Sequence, residues 1–361
     1  MKTVPTIAVL IVIACCVFAT APAAQAAAAI GAESCGSTPA PNAYCSWQGG
    51  GAGVTIGPSS CNVIGACLYL GSKVTIGANS CNGYEACDYA GYSGAAQIGD
   101  NSCDDDSACY GAGDDGAVTI GSSSCPGNQL VVWPGNGLGC NNPGSCNHAA
   151  ACYYAGNDTG NTITIGTNSC NGYGACSETG SGDGASTIAA NSCNSDAACE
   201  NAGYEGISSI GHDACLGSAA CYYAGSYGGT SSIGSGSCSG DDSECYAVGF
   251  MGNSSIGNDS CNGFQACYLD GYETGSIQIA ANSCNGDQAC SYAGYYPNQA
   301  TIGKNSCNGF LACYYISDGY KATVGAGSCD NYEACYAAAD TSVANIPANS
   351  CDTYEVCKEA Y

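Results

Sequence analysis

A pair of cysteines with five residues between them recurs along almost the whole chain, and this spacing constrains the fold more than any other feature. The first cysteines of successive units are Cys61, Cys81, Cys103, Cys125, Cys146, Cys170, Cys193, Cys215, Cys238, Cys261, Cys284, Cys307, Cys329 and Cys351, at intervals of 20 to 24 residues. Their partners in the pattern are Cys67, Cys87, Cys109, Cys152, Cys176, Cys199, Cys221, Cys267, Cys290, Cys313, Cys335 and Cys357. Two units are irregular. Cys125 and Cys140 flank an inserted loop at 126–139, which contains Leu130 and Trp133, and Cys238 and Cys245 are one residue further apart than the rest. Cys35 and Cys45, with Trp47, precede the array and suit an N-terminal cap region at 27–50.

Around the cysteines the unit reads V-T-I-G-x-N-S-C-N-G-x-x-A-C-x-Y-A-G. Two-helix repeats need about 33 residues or more. This unit is shorter and full of glycine, Asn-Gly pairs and β-branched residues, which are strand and turn signals. It fits one coil of a parallel β-helix. The expected fold is therefore all-β: a single elongated right-handed β-solenoid over 51–361, with about 14 coils. At ~4.8 Å per coil the rod would be roughly 65–70 Å long. Length alone would suggest two domains, and the repeat overrides that prior.

Alternation assigns the faces. Counting back from the first cysteine, Val at −7 and Ile at −5 should point inward, as in Val54 with Ile56, Val74 with Ile76 and Val118 with Ile120. Ala90, Ala155, Ala224 and Ala293, three residues after the second cysteine, should also face the core. Such a core is thin. Val, Ile, Leu and Phe together are 47 of 361 residues, or 13 %, below the roughly 20 % at which a highly charged chain is usually disordered. Covalent bridges must stand in for hydrocarbon. Pairing within each coil closes a seven-residue loop, worth about 2.4 kcal/mol in the chain-entropy model. A ladder between equivalent cysteines of neighbouring coils is the alternative that spacing leaves open. Ser before the first cysteine (Ser60, Ser80, Ser102) and Asn two before it (Asn79, Asn101, Asn168) form further rows, expected to make turns and corners.

Residues 1–26 read as a secretory signal peptide: Lys2, an apolar run from Ile7 to Phe18, then Ala24-Gln25-Ala26 as a cleavage signal. Its loss would remove Cys15 and Cys16 and leave 30 of 32 cysteines, the even number that a fully bridged extracellular framework needs. No later stretch is apolar enough to span a membrane.

The V-T-I-G strand and N-S-C-N-G corner resemble the right-handed parallel β-helix class, the pectin-lyase-like architecture, over nearly all of the mature chain. The I-G-x-N-S-C-N-G-x-x-A-C motif also resembles Cys-rich repeats of uncharacterised secreted proteins from algae and related protists. The architectural likeness implies enzymes that process acidic polysaccharides with Arg, Lys or clustered Asp. This chain has no arginine, and after the signal only Lys73, Lys304, Lys321 and Lys358. Asp104–Asp106 and Asp241–Asp242 are its acidic clusters, and both replace corner residues inside a cysteine pair. His148 and His212 stand in separate coils. No catalytic constellation, cofactor or metal site emerges, and with every cysteine bridged a zinc site is not expected.

Net charge is −25, which excludes nucleic acid as a partner and repels anionic polysaccharide and membrane surfaces. Carboxylates in this number attract cations, yet no D-x-D-x-D-G calcium loop is present. Asn157, Asn253 and Asn258 are glycosylation sequons in a eukaryotic host.

Two surfaces remain as candidates. Thr55, Thr75, Thr119, Thr164, Thr187, Thr301 and Thr323 form one row at −6, completed by Ser209, Ser232 and Ser255 and interrupted by Gln97, Gln278 and Asn345. This row resembles, in part, the ice-binding face of insect antifreeze proteins. Tyr110, Tyr153, Tyr222, Tyr246, Tyr268, Tyr314 and Tyr336 form a second row, and Tyr84, Tyr173, Phe264, Phe310, Tyr332 and Tyr354 a third, suited to protein interfaces or sugar stacking. The sequence thus points to a secreted, non-enzymatic structural rod: a cell-surface, matrix or filament subunit, or an adhesive surface. Its expected partners are further copies of itself or matrix and cell-wall components. Ice binding is the first alternative and carbohydrate binding the second.

Overall fold

The computed structural model describes residues 28–36, 44–47, 53–124, 150–156, 162–240, 245–272, 275–295, 299–317, 320–340, 342–354 and 356–357. The signal segment, the inserted loop with Cys125, Cys140 and Cys146, His148 and the pair Asp241–Asp242 lie outside them.

Short strands recur once per repeat because each V-T-I segment has β-branched residues in strict alternation, and the glycine after it ends the strand. In chain order they are β1 (Ala29–Ile30), β2 (Cys45–Trp47), β3 (Thr55–Ile56), β4 (Cys67–Leu70), β5 (Val74–Ile76), β6 (Ala95–Ile98), β7 (Ala117–Ile120) and β8 (Thr162–Ile165). The array continues with β9 (Ala185–Ile188), β10 (Ile207–Ile210), β11 (Thr230–Ile233), β12 (Asn253–Ile256), β13 (Ser276–Ile279), β14 (Gln299–Ile302), β15 (Ala322–Val324) and β16 (Ala344–Ile346). All except β2 and β4 stack in chain order into one 14-stranded parallel sheet, while β2 and β4 pair separately. The fold is an all-β parallel solenoid, and no helix occurs among the described residues. Against the expected 14 coils, eleven described turns carry a bridge between cysteines six apart in sequence. The turn with the longer Cys238–Cys245 bridge adds one. Because β7 pairs directly with β8, the stretch expected to hold two coils, those of Cys125 and Cys146, is a single turn, and the count over 51–361 is 13, one fewer than expected. Cys35–Cys45 bridges the cap region before them.

The faces are as the alternation predicts. Val54, Ile56, Val74, Ile76, Val118 and Ile120 are buried, as are Ala90, Ala155, Ala224 and Ala293. Every described cysteine pair bridges within its own coil, with Cα–Cα distances of 5.6 to 5.9 Å. The extra residue between Cys238 and Cys245 leaves theirs at 5.7 Å. Sulfurs of the next coil are close all the same: the Sγ atoms of Cys193, Cys199 and Cys215 lie within 4.8 Å of one another. Connectivity is thus set by the turn, not by distance between coils.

The serine before each first cysteine does more than make a corner. It is buried in all but the last described turn, and it clamps its coil to the next as both donor and acceptor. Ser60 Oγ donates to the Gly77 carbonyl at 2.7 Å and accepts from the Ser80 N–H at 3.1 Å. Ser80 and Ser102 repeat the pattern one coil on. Ala214 occupies this position once, and the Ser192 Oγ there accepts from the Ala214 N–H. A second ladder runs through the residue after the first cysteine: the backbone N–H of Asn262 donates to Asn285 Oδ1, and that of Asn285 to Asn308 Oδ1. Coils approach closely at the glycine that follows most strands: a Cβ on Gly77 would fall 2.5 Å from Asp100 N, although Ala189, Ala280 and Pro347 take this position in three turns.

Candidate functional site

The Thr row and the Tyr row occupy separate surfaces of the solenoid. Thr55, Thr75, Thr119, Thr164 and Thr187 are exposed on the sheet, and Thr301 and Thr323 partly so. The register aligns the −6 position throughout, from Thr55↔Thr75 through Ser209↔Ser232 to Thr301↔Thr323. The outward row beside it, at −8, is mixed: Ala117, Thr162, Ala185 and Ile207 follow one another. One regular row is therefore flanked by an irregular one.

On the aromatic edge, each ring sits about one coil rise from the next, so neighbours touch. An unbroken chain of contacts runs Tyr204–Tyr227–Tyr223–Tyr246–Tyr268–Tyr292–Tyr314–Tyr336, with centroids 5.3 to 6.2 Å apart. Tyr222, Phe250, Tyr272, Tyr295 and Tyr315 pack beside it. A second, shorter chain runs Tyr69–Tyr89–Tyr110–Tyr153. Between the two, Ser177 with Glu178 and Glu200 with Asn201 take the tyrosine positions of two successive turns. The row expected to project outward is half-buried by its own stacking, and Tyr69, Tyr92 and Tyr227 are the more exposed rings.

This packing shapes the electrostatics. Partial burial, then the hydrogen bond its hydroxyl makes to Tyr154, pushes Tyr153 up to about 12. Burial, then the hydrogen bond its hydroxyl makes to Tyr223 and the charge of Glu200, raises Tyr222 further. Burial followed by the charge of Glu178 raises Glu200. These phenols stay protonated at any physiological pH. Asp88, beneath Tyr110 in the same row, is buried and raised to about 7, chiefly by desolvation.

In the third row Phe310, Tyr332 and Tyr354 stack at 5.1 and 5.2 Å. Tyr84, Tyr173 and Phe264 instead alternate with aspartates of the next coil. Their backbone N–H groups donate to Asp106, Asp196 and Asp287. The Asp104–Asp106 cluster is spent in the same way. Asp104 accepts from the Asn82 backbone and side chain, and burial raises it to about 6. Asp105 is buried and accepts from the Asp106 N–H. Asp104 and Asp106 of this corner are thus intercoil acceptors, while Asp105 accepts within its own coil. His212 is exposed, far along the array from that cluster in sequence.

The model of a domain of unknown function, DUF7640, matches residues 133–243, 208–295, 236–335 and 297–361, more than half of the chain. The chain belongs to the DUF7640 family. Its overlapping matches follow the repeat, each covering about three to five turns. No curated protein and no solved structure gave a match.

Two features of this DUF7640 array escaped the sequence reading. Asp270 occupies the inward position held elsewhere by Ala90 or Ala224, and is completely buried. The −7 position, read as Val, is Ser186, Ser208, Ser231 and Ser254 in four successive turns, all buried. Both were visible as polar residues in apolar columns once the repeats are aligned.

Proposed function

We propose that the protein is a secreted, non-catalytic structural rod, a matrix, cell-surface or filament subunit whose tyrosine edge is its adhesive surface. The observation that carries this reading is the unbroken ring contact from Tyr204 to Tyr336 on a scaffold stapled in turn after turn. Tyrosine presents an apolar body and a polar tip with little entropy left to lose, which suits an interface. Bridges in this number fit an oxidising, extracellular setting. The pectin-lyase-like resemblance is one of winding alone, and no activity is proposed from it. Sedimentation and electron microscopy of native material test the reading. Assemblies should form, and Tyr246→Ser with Tyr268→Ser should weaken them at least tenfold. Isolated monomers at high concentration would remove the proposal.

Ice binding is the second reading, favoured by the continuous −6 register. Thermal hysteresis that vanishes in Thr119→Lys, Thr164→Lys would support it, and no hysteresis in the parent protein would end it. Carbohydrate binding through the rings is third, and a glycan array without hits would exclude it.

A further inference from the structure

The inside of the solenoid changes character part-way along. At the −7 position the earlier turns carry Val54, Val74, Val118 and Ile163, whereas Ser186, Ser208, Ser231 and Ser254 follow on β9 to β12. These serines are direct partners in the parallel register, Ser186 to Ser208, Ser208 to Ser231 and Ser231 to Ser254. Each is at most 5 % exposed. None of the four Oγ atoms has a hydrogen-bond partner in the protein. Buried hydroxyls are almost always satisfied, by protein or by ordered water. Four orphans in consecutive register positions demand a common partner.

The other inward column of the same four turns is Ala202, Ala224, Val248 and Asp270, all fully buried. The serine column has defined ends. At one, a Cβ on Gly180 would fall 1.9 Å from Ile163 Cδ1, so that isoleucine fills the bore. At the other stands Asp270. It is fully buried, one carboxylate oxygen accepts from the Ala293 N–H at 2.9 Å, and Oδ2 has no partner. Gly271 beside it lies against the Asn253 carbonyl, next to Ser254.

Spacing selects the ligand. Adjacent coils are ~4.8 Å apart, too far for one hydroxyl to reach the next, since O–H···O bonds are about 2.7–2.8 Å long. Two such bonds meeting at a near-tetrahedral oxygen span about 4.4–4.6 Å, close to one coil rise. We propose that these four turns enclose a single file of water molecules, one between each adjacent pair of serine hydroxyls, with a last one linking Ser254 to Asp270. Each water then accepts from one hydroxyl and donates to the next, and the carboxyl of Asp270 terminates the file.

An atomic-resolution crystal structure of the disulfide-intact protein tests this. Density should lie about 2.8 Å from the Oγ atoms on either side, and the peak between Ser208 and Ser231 should be lost in Ser208→Ala, Ser231→Ala. Hydroxyls turned onto backbone carbonyl oxygens with no density between them would overturn the proposal, as would a peak unchanged in the double variant. Oxygen-17 relaxation dispersion on the wild-type protein gives a solution readout that needs no variant. A signal from long-lived internal water is expected, and its absence would be equally fatal.

Discussion

The turns from Val54 to Ile163 and those from Ser186 to Ser254 wind alike, although hydrocarbon lines one bore and hydroxyls the other. Both stretches keep an inward isoleucine at −5, such as Ile120 and Ile210. Both keep the intracoil bridge at the same Cα–Cα distance, 5.6 Å at Cys103–Cys109 and at Cys193–Cys199. Both keep the serine clamp, through Ser102 and Ser192. The winding is therefore specified by the bridge, the clamp, the −5 isoleucine and the glycines. The −7 residue is free to vary, and the central turns use that freedom.

If bridges carry the winding, reduction should erase the difference between the two stretches by unfolding both. At about 2.4 kcal/mol per loop in the chain-entropy model, eleven regular bridges outweigh the about 5–15 kcal/mol that stabilises a typical domain. Circular dichroism should lose its strand signal and the hydrodynamic radius should grow, with the first proteolytic cuts among the serine-lined turns. A reduced chain that stays rod-like would break the comparison. Next in size, Ile163→Ala should cost about 2–5 kcal/mol through the cavity it leaves.

The clamp sharpens the contrast. Ser192→Ala strands the Gly211 carbonyl and the Ala214 N–H and should cost about 1–3 kcal/mol. Ser208→Ala removes a hydroxyl with no protein partner and should cost no more than about 1 kcal/mol. Equal losses in thermal melts would contradict the separate roles.

Buried carboxyls add a pH dependence. Asp88 is raised to about 7 and Asp270 well above its ordinary value, both chiefly by desolvation. A raised acid binds more protons folded than unfolded, so its contribution is complete below about pH 4. For Asp88 it is lost as pH rises through about 7. Stability should thus fall between pH 4 and 8, and Asp88→Asn should flatten the lower part of that decline. An unchanged profile in the variant would assign the slope to overall charge repulsion. Smallest of all, Thr119→Ser on the open sheet should shift stability by less than about 0.5 kcal/mol.

Much of this was legible in the sequence. Strict alternation in V-T-I placed Val74 and Ile76 inside and Thr75 outside, and constant cysteine spacing marked out the turns while leaving intracoil and intercoil pairing both open. What was hidden depends on neighbours in space. Serine composition does not say whether Ser80 faces water or a carbonyl 2.9 Å away in the next coil. Nor does a cysteine announce a left-handed backbone, yet Cys81 has φ of 55° and Cys193 of 57°, a region favoured by glycine and asparagine. The alternation of Tyr84 with Asp106 becomes meaningful only once the coil stack makes them donor and acceptor.

A peptide map under non-reducing, thiol-blocked conditions tests the central claim most directly. Cys193, Cys199 and Cys215 are the place to look, since their sulfurs are within 4.8 Å of one another and either connectivity is within reach. The account predicts Cys193 linked to Cys199 and Cys215 linked to Cys221, with no blocked thiols. Peptides joining Cys199 to Cys215, or free cysteines in a folded rod, would contradict it.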